Sequence, residues 1–328
     1  MAVGIKDVAR AAGVSAATVS RVLSGRKVDA EMRTAVEAAV IQTGYRPNMA
    51  ARRLRSKHNS TIGLVVADIR NPFFTAVSRT IEEVAYANGL RVILCNTDEN
   101  PEKEEMYLQL MQDERVTGVI IAASREGVDR IAATRYDFPL VLIDRAGAVR
   151  EHDAVVLDNA AAAGMLVDHL HGRGFTRIGA FYGPTTTGYE RQLGYIAAMT
   201  ARGLVPQAHC VGPGKDTVAE AISAMKAAGV PPPEAIIATN GVMLMGLVRG
   251  VIAHDLRVPD DITLVGFDNE PWTEIFAGGM TVVEQPVDEI GRQAMTMLLD
   301  RLQHPDASAR KMLLSARLIA RDTRPAPR

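Results

Sequence analysis

Cysteine is nearly absent from this chain: among 328 residues there are two, Cys95 and Cys210. Far apart and without a second pair, they can build neither a disulfide framework nor a cysteine-based zinc site. No apolar run approaches the ~18–20 residues that a membrane-spanning helix requires. The start, Met1 to Arg10, lacks the basic-then-apolar pattern of a secretory signal. The expected setting is therefore a reducing cytoplasm, and the Asn59-Ser60-Thr61 sequon reads as chance. No Gly-x-Gly-x-x-Gly stands at a strand-to-helix turn, and no Gly-x-Ser-x-Gly elbow occurs. Gly212-Pro213-Gly214-Lys215-Asp216-Thr217 superficially suggests a phosphate loop. It lacks the spacing, and Asp216 replaces the hydroxyl that would meet magnesium. The histidines include no i,i+4 metal pair; His169 and His171, two apart, read as surface residues. These absences argue against an enzyme, a cofactor and a metal.

Net charge is also small, −1 in total, which taken whole speaks against a nucleic-acid partner. The total hides a partition. Residues 1–60 hold 11 Lys/Arg against 4 Asp/Glu, a balance of +7, and the remaining residues hold 26 against 34, a balance of −8. From Ala38 to Ala67 there is no acidic residue at all.

Three zones follow. Residues 1–46 carry Ala and Val at helical spacing. Residues 47–60 open with Pro47-Asn48 and bring Arg52, Arg53, Arg55 and Lys57, a linker or a polyelectrolyte contact. From Thr61 onward, short apolar runs read as buried parallel strands: 62–66, 91–94, 118–121, 140–143, 178–181, 235–238 and 262–265. Helical periodicity fills most of the gaps, as from Phe73 to Asn88 and from Tyr189 to Ala201. Gly89, Gly203 and Gly229 are placed for left-handed caps. Repeated βα units predict a doubly wound α/β body. Its length predicts two lobes with a ligand between them. The tail from Thr323 reads as disordered.

At the start, Ile5, Val8, Ala9 and Ala12 form one apolar stripe, Gly13-Val14 supplies a turn, and Ser15 suits the N-cap of a second helix. Val19, Val22 and Leu23 face inward, while Ala17 and Arg21 share the outer face. Two short helices around a Gly-containing turn make a helix-turn-helix, whose second helix enters the major groove. A small bundle for protein contact fits the periodicity equally well; the basic extension favours DNA.

The stretch from Ile5 to Leu23, IKDVARAAGVSAATVSRVL, resembles the headpiece of the lac-repressor-like (LacI) family of bacterial transcription regulators. The resemblance continues through GYRPNMAARRL (44–54), NPFF (71–74), Ile143-Asp144-Arg145, Gly266-Phe267-Asp268 and Gln285-Pro286. It implies a headpiece over 1–46, a hinge over 47–60, and an effector-binding and dimerisation body over 61–328. Within that body, one lobe would comprise about 61–158 plus 287–316, and the other about 159–286 plus 317–323.

By this resemblance Ala16, Ala17 and Arg21 read base edges, with Arg21 able to fork onto guanine. The alanines offer only methyl-sized contact. Ser15, Thr18 and Ser20 suit phosphates, although Thr18 and Ser20 would serve equally in headpiece packing. The hinge resemblance implies that Asn48, Ala51, Arg52 and Arg55 approach the backbone while Leu54 wedges into the minor groove. Leu54 as a plain linker residue is the alternative. Small headpieces need a two-fold operator, hence a homodimer. No terminal leucine heptad argues for a tetramer.

In open α/β sheets, ligands sit outside the carboxyl ends of strands. Asn71, Phe73 and Phe74 follow the first strand, Asp144 and Arg145 the fourth, and Asn240 and Asp268 two later ones. Arg191 matches the family's effector-contact arginine, and Trp272 lies four residues beyond Asp268. The set suits a sugar or polyol. Arg145 and Arg191 could additionally fork onto a carboxylate, so the expected effector is a sugar or a sugar acid, a hexonate or keto-sugar acid being the finer reading. Phe73, Phe74 and Trp272 could instead be packing residues, and Arg145 could pair only with a neighbouring acid. Gly241 stands where many members carry an aspartate. The expected function is an effector-controlled, sequence-specific regulator, most simply a repressor. A purine or other metabolite as effector, and a solute-binding protein, are the alternatives.

Overall fold

Most of the apolar runs after Thr61 become strands buried on both faces, as parallel sheets require. The run 91–94 departs from the buried reading, because it forms a sheet edge and its residues are exposed or half-buried. In the computed structural model, which describes residues 4–23, 27–45, 60–147, 151–212 and 233–321, the polypeptide divides into two units, Met1–Asn59 and Ser60–Arg328.

The first unit contains α1 (Ile5–Ala12), α2 (Ala16–Leu23) and α3 (Ala30–Thr43). Gly13 takes a left-handed φ of 65° and ends α1, where its amide donates to the carbonyls of Ala9 and Arg10. Val8, Ala9, Val19, Val36 and Ala39 form the buried centre, with Ile5, Ala12, Val14, Ala16, Val22, Leu23, Val40 and Tyr45 packed on it. The hinge residues Asn48, Ala51, Arg52, Leu54 and Arg55, the expected cap Gly229 and the tail from Thr323 lie outside the described residues.

The second unit holds two six-stranded sheets. The first comprises β1 (Thr61–Val66), β2 (Arg91–Asn96), β3 (Gly118–Ile121), β4 (Leu140–Ile143), β5 (Asp153–Leu157) and β11 (Lys311–Leu314), in the order β11-β5-β4-β3-β1-β2. The second comprises β6 (Ile178–Tyr182), β7 (Gln207–Cys210), β8 (Ala235–Ala238), β9 (Thr263–Phe267), β10 (Val282–Glu284) and β12 (Arg317–Ile319), in the order β12-β10-β9-β8-β6-β7. Every pairing is parallel except β10 with β12. The helices are α4 (Pro72–Ala87), α5 (Pro101–Asp113), α6 (Arg125–Ala133), α7 (Asn159–Gly172), α8 (Thr186–Ala201), α9 (Gly241–Ala253), the short α10 (Pro271–Ile275) and α11 (Val287–Gln303). None of the described helices is long and apolar enough to cross a membrane.

The backbone passes between the sheets three times: from β5 into α7, from β10 into α11, and from β11 into β12. Each sheet switches direction at one place, between β1 and β3 in one and between β6 and β8 in the other. Ligands of open α/β sheets collect at such points. Gly89 and Gly203 take the left-handed φ expected of caps, 69° in both. His169 departs from the surface reading: it is half-buried, and its Nε2 lies 3.4 Å from the Thr281 hydroxyl.

Candidate functional site

A cavity of about 520 Å³ lies at the strand ends of the second unit. Four helices begin on it, each with its capping residue in the wall. Asn71 accepts from Phe73 N at 3.1 Å, and Ser124 from Gly127 N at 3.0 Å. Thr185 accepts from Gly188 N at 3.1 Å, and Asn240 from Met243 N at 2.8 Å. These four residues line the cavity and head the helices that follow β1, β3, β6 and β8. Converging helix N-termini present partial positive charge and favour an anion.

Arg191 and Arg145 both line the cavity and both are buried, but they differ in what they hold. The Arg145 fork is taken. Nη1 donates to Glu99 Oε2 at 2.6 Å, Nη2 donates to Glu99 Oε1, and Nε donates to Asp144 Oδ2 at 3.0 Å. Burial works against its charge, but Glu99 and Asp144 outweigh burial and hold its pKa above the ordinary value. The pairing with neighbouring acids, one of the two readings offered for Arg145, is thus present in the structure. Burial pushes the Asp144 carboxyl up, with Arg145 opposing.

Arg191 is held by neutral acceptors. Nε donates to Asn159 Oδ1 at 2.8 Å, Nη1 to Thr239 O at 2.5 Å and Nη2 to Gln285 Oε1 at 3.3 Å. Its guanidinium carbon stands 4.1 Å from the centre of the Phe267 ring. Among the described residues no carboxylate reaches it within ion-pair distance. Burial lowers its pKa, and Asp268, Asp144 and Glu190 counteract this only through space. Asp268 is engaged elsewhere, accepting from Gly241 N at 2.8 Å and from Gln285 Nε2 at 2.7 Å. A Cβ at residue 241 would sit 3.0 Å from the Asp268 carboxylate, so the absence of an acid at Gly241 and the seat of Asp268 belong together.

The structure brings Asn71, Phe73, Phe74, Asp144, Arg145, Arg191, Asn240 and Asp268 to one cavity. Phe73 and Phe74 meet edge to face at 5.0 Å and, while lining the cavity, belong to the buried core. Trp272 does not line the cavity. Its ring packs instead, partly buried, on the cluster around Phe181, Leu244 and Leu264, whose apolar contacts take it up. Sequence reasoning missed Glu99, Ser124, Thr185 and Gln285 in the wall and Asn159 behind it. The rule that marks Asp144 would also mark Ser124, which likewise follows a strand.

In the first unit, the Ser15 hydroxyl accepts from Thr18 N at 3.1 Å and lies 2.9 Å from the Thr18 hydroxyl, so it caps α2. Ala17 and Arg21 are exposed one turn apart. Ala16 is half-buried and packs on the core, while Thr18 and Ser20 are half-buried.

Comparison with known proteins agrees with both units. Residues 4–48 match the model of bacterial regulatory proteins of the lacI family. Residues 167–324 match the periplasmic binding protein-like domain. The HTH-type transcriptional regulator PtxS of Pseudomonas plecoglossicida is 34% identical, over 98% of this chain and 96% of its own. The crystal structure of the lac repressor dimer bound to operator and an anti-inducer superimposes with a TM-score of 0.87 at 24% identity, covering 98% of this chain and 99% of that one. A periplasmic binding protein/LacI transcriptional regulator from Alkaliphilus metalliredigens, complexed with D-xylulofuranose, gives 0.71 at 26% identity, covering 81% of this chain and 99% of its own. With a helix-turn-helix unit, a two-sheet body and a curated relative matched almost end to end, this chain belongs to the LacI family of bacterial transcriptional regulators.

Proposed function

We propose that this regulator senses a small anionic polyol, a sugar acid of the hexonate or keto-hexonate class, in the cavity of its second unit. The observation that carries the reading is Arg191, a buried cation whose bonds all go to neutral oxygens. Burying a charge without a counter-charge is costly, and a ligand carboxylate would supply the missing partner. The opposite wall bears Glu99, Asp144 and Arg145, already neutralised among themselves apart from one surplus negative charge. Carboxylate oxygens there can accept from sugar hydroxyls, so the ligand would lie with its acid end toward Arg191 and its hydroxyls toward Asp144. Phe73 and Phe74 offer apolar cover to the C–H groups of a cyclic or open-form sugar. The sugar in the Alkaliphilus complex supports the polyol half of this reading.

At the other end, Ala17 and Arg21 on α2 would meet base edges. The serine and threonine hydroxyls with the helix N-terminus would meet phosphates. Ala16, packed on the headpiece core, has at most an edge to offer. The hinge 47–60, with Asn48, Ala51, Arg52 and Arg55 at the backbone and Leu54 as wedge, would add the minor-groove half of a palindromic operator. Two copies of the protein would bind together as a homodimer in the bacterial cytoplasm. The effector must favour one lobe arrangement over another, since equal affinity shifts nothing. The cavity is assigned no chemical step.

The test is a thermal-shift screen pairing each sugar acid with its neutral alcohol or aldose. Hits are then repeated in an operator-binding assay. The acid members should raise the melting temperature and change operator affinity. A response to neutral sugars or purines alone would overturn the anionic reading.

A further inference from the structure

Arg191 is tied to two of the three places where the backbone passes between the lobes. Asn159 is the first residue of α7, directly after the β5 crossing, and it accepts from Arg191 Nε at 2.8 Å. Gln285 lies in the second crossing, between β10 and α11, and it accepts from Arg191 Nη2 at 3.3 Å. Both are buried. The bonding continues at each end. Asn159 Nδ2 donates to Glu190 Oε2 at 2.7 Å, and Gln285 Nε2 donates to Asp268 Oδ1 at 2.7 Å. Backbone packing joins α8 to the first crossing at the same point. A Cβ on Gly194, one turn beyond Arg191, would fall 2.2 Å from the Ala160 carbonyl oxygen, so α8 rests on the backbone beside Asn159.

Resting on the sugar-acid reading of the cavity, we infer that Asn159 and Gln285 are positioning residues that couple anion binding at Arg191 to the angle between the lobes. The two ties are unequal. The Asn159 bond is short and backed by the α7–α8 contact, whereas the Gln285 bond is the longest of the three that Arg191 makes. An anion arriving at Arg191 competes with neutral acceptors for its N–H groups, and a charged acceptor wins that competition. The bond to Gln285 is the one it takes. Gln285 then keeps only Asp268, and the second crossing loses its link to α8 while the first keeps its own. One strap released and one retained turns a local charge event into a change of hinge geometry.

The experiment is a double-mutant cycle on the full-length protein. Arg191→Met, Gln285→Met and the double variant are measured for operator affinity without ligand. Wild type and Gln285→Met are also titrated with gluconate and 2-ketogluconate. If the tie acts as inferred, both single variants shift ligand-free operator affinity in the same direction and the double variant adds almost nothing to either. In addition, at ligand concentrations that saturate each protein, the ligand-induced change in operator affinity, about 5-fold or more for a coupled pair of sites, falls toward 1 in Gln285→Met. Additive single effects with unchanged ligand response would overturn it. If no sugar acid binds wild type, the effector reading fails, and the ligand-free cycle still decides the tie. Should Gln285→Met not fold, Gln285→Asn, one methylene shorter, takes its place.

Discussion

Replacing Arg191 by glutamine removes the charge while leaving an amide that can still hydrogen-bond within the cavity. In the wild type the guanidinium is 3% exposed, lies over Phe267 and has only neutral oxygens in contact. A bound carboxylate would be its first ionic partner, in surroundings where water screens little. A hydrogen bond to a charged group contributes about 1.5–3 kcal/mol, against about 0.5–1.5 kcal/mol for a neutral one. At tenfold per 1.4 kcal/mol, the acid should bind Arg191→Gln about 10- to 150-fold more weakly. The corresponding hexitol, which offers a hydroxyl there, should lose about tenfold at most. The assay is isothermal titration of gluconate and sorbitol into both proteins, and the informative quantity is the acid-to-alcohol preference. Arg191→Lys keeps the charge but lacks the planar fork that spans Asn159, Thr239 and Gln285, so it should restore part of that preference. Equal losses for acid and alcohol would refute the reasoning, because Arg191 would then act through shape rather than charge.

Arg21→Ala should relax selection at one base pair of each half-site, at a cost of about 1–3 kcal/mol against the preferred operator; competition binding to a randomised operator library reads this directly. Tyr195→Phe removes a hydroxyl that donates to Ile178 O at 2.6 Å and accepts from Gln207 N at 2.8 Å. With the ring fully buried, the lost bonds should lower stability by about 1–3 kcal/mol in urea unfolding. His169 should make stability fall on acidification, because burial and nearby Arg173 hold its pKa below the ordinary 6.5. Its contribution is complete above 6.5 and is lost as pH falls from there toward the folded value. Melting temperatures between pH 7 and 5 should therefore fall less steeply in His169→Asn.

Most of the sheet framework was legible because parallel strands buried on both faces are written as unbroken apolar runs. Ile62–Val66, Gly118–Ile121 and Ala235–Ala238 needed no tertiary information. Of the strands that escaped notice, β10 is only three residues long, too short for a pattern, and others depend on distant partners or lie at edges. β5 opens with Asp153, completely buried yet charged, because Arg301 binds it through Nε and Nη2 at 3.0–3.1 Å from a helix 148 positions away. A buried acid at a strand start reads locally as a loop. β7, Gln207–Cys210, is polar because it forms a sheet edge and is only half covered. β11 and β12 are edges as well, with exposed and half-buried residues and none fully buried.

The site shows the same limit in sharper form, in its two arginines. Arg145 follows a strand and Arg191 lies early in a helix, and local sequence offers both the same task of gripping a carboxylate. Their difference is one of charge accounting, and the partner that decides it, Glu99, is 46 positions from Arg145. Asp98, Glu99 and Asp144 are all held at left-handed φ, 54°, 58° and 65°. Conformations of this kind cost on the order of 1–3 kcal/mol each and persist only where the surroundings over-determine them. Here the bend at residues 98 and 99 delivers the Glu99 carboxylate to the Arg145 fork, and the bend at Asp144 turns a second carboxylate onto the same guanidinium. Asp268 is bent likewise, at 73°, but its carboxylate is taken up by Gly241 N and Gln285 instead of Arg191. A Cβ at residue 241 would crowd that seat, so the glycine leaves room for it. The two lobes thus use similarly bent acids to opposite ends: one acid pairs with its cation, while the other is engaged elsewhere and its cation has only neutral acceptors. That asymmetry gives the cavity a polarity, and a polarity can orient a molecule with an acid at one end and hydroxyls at the other.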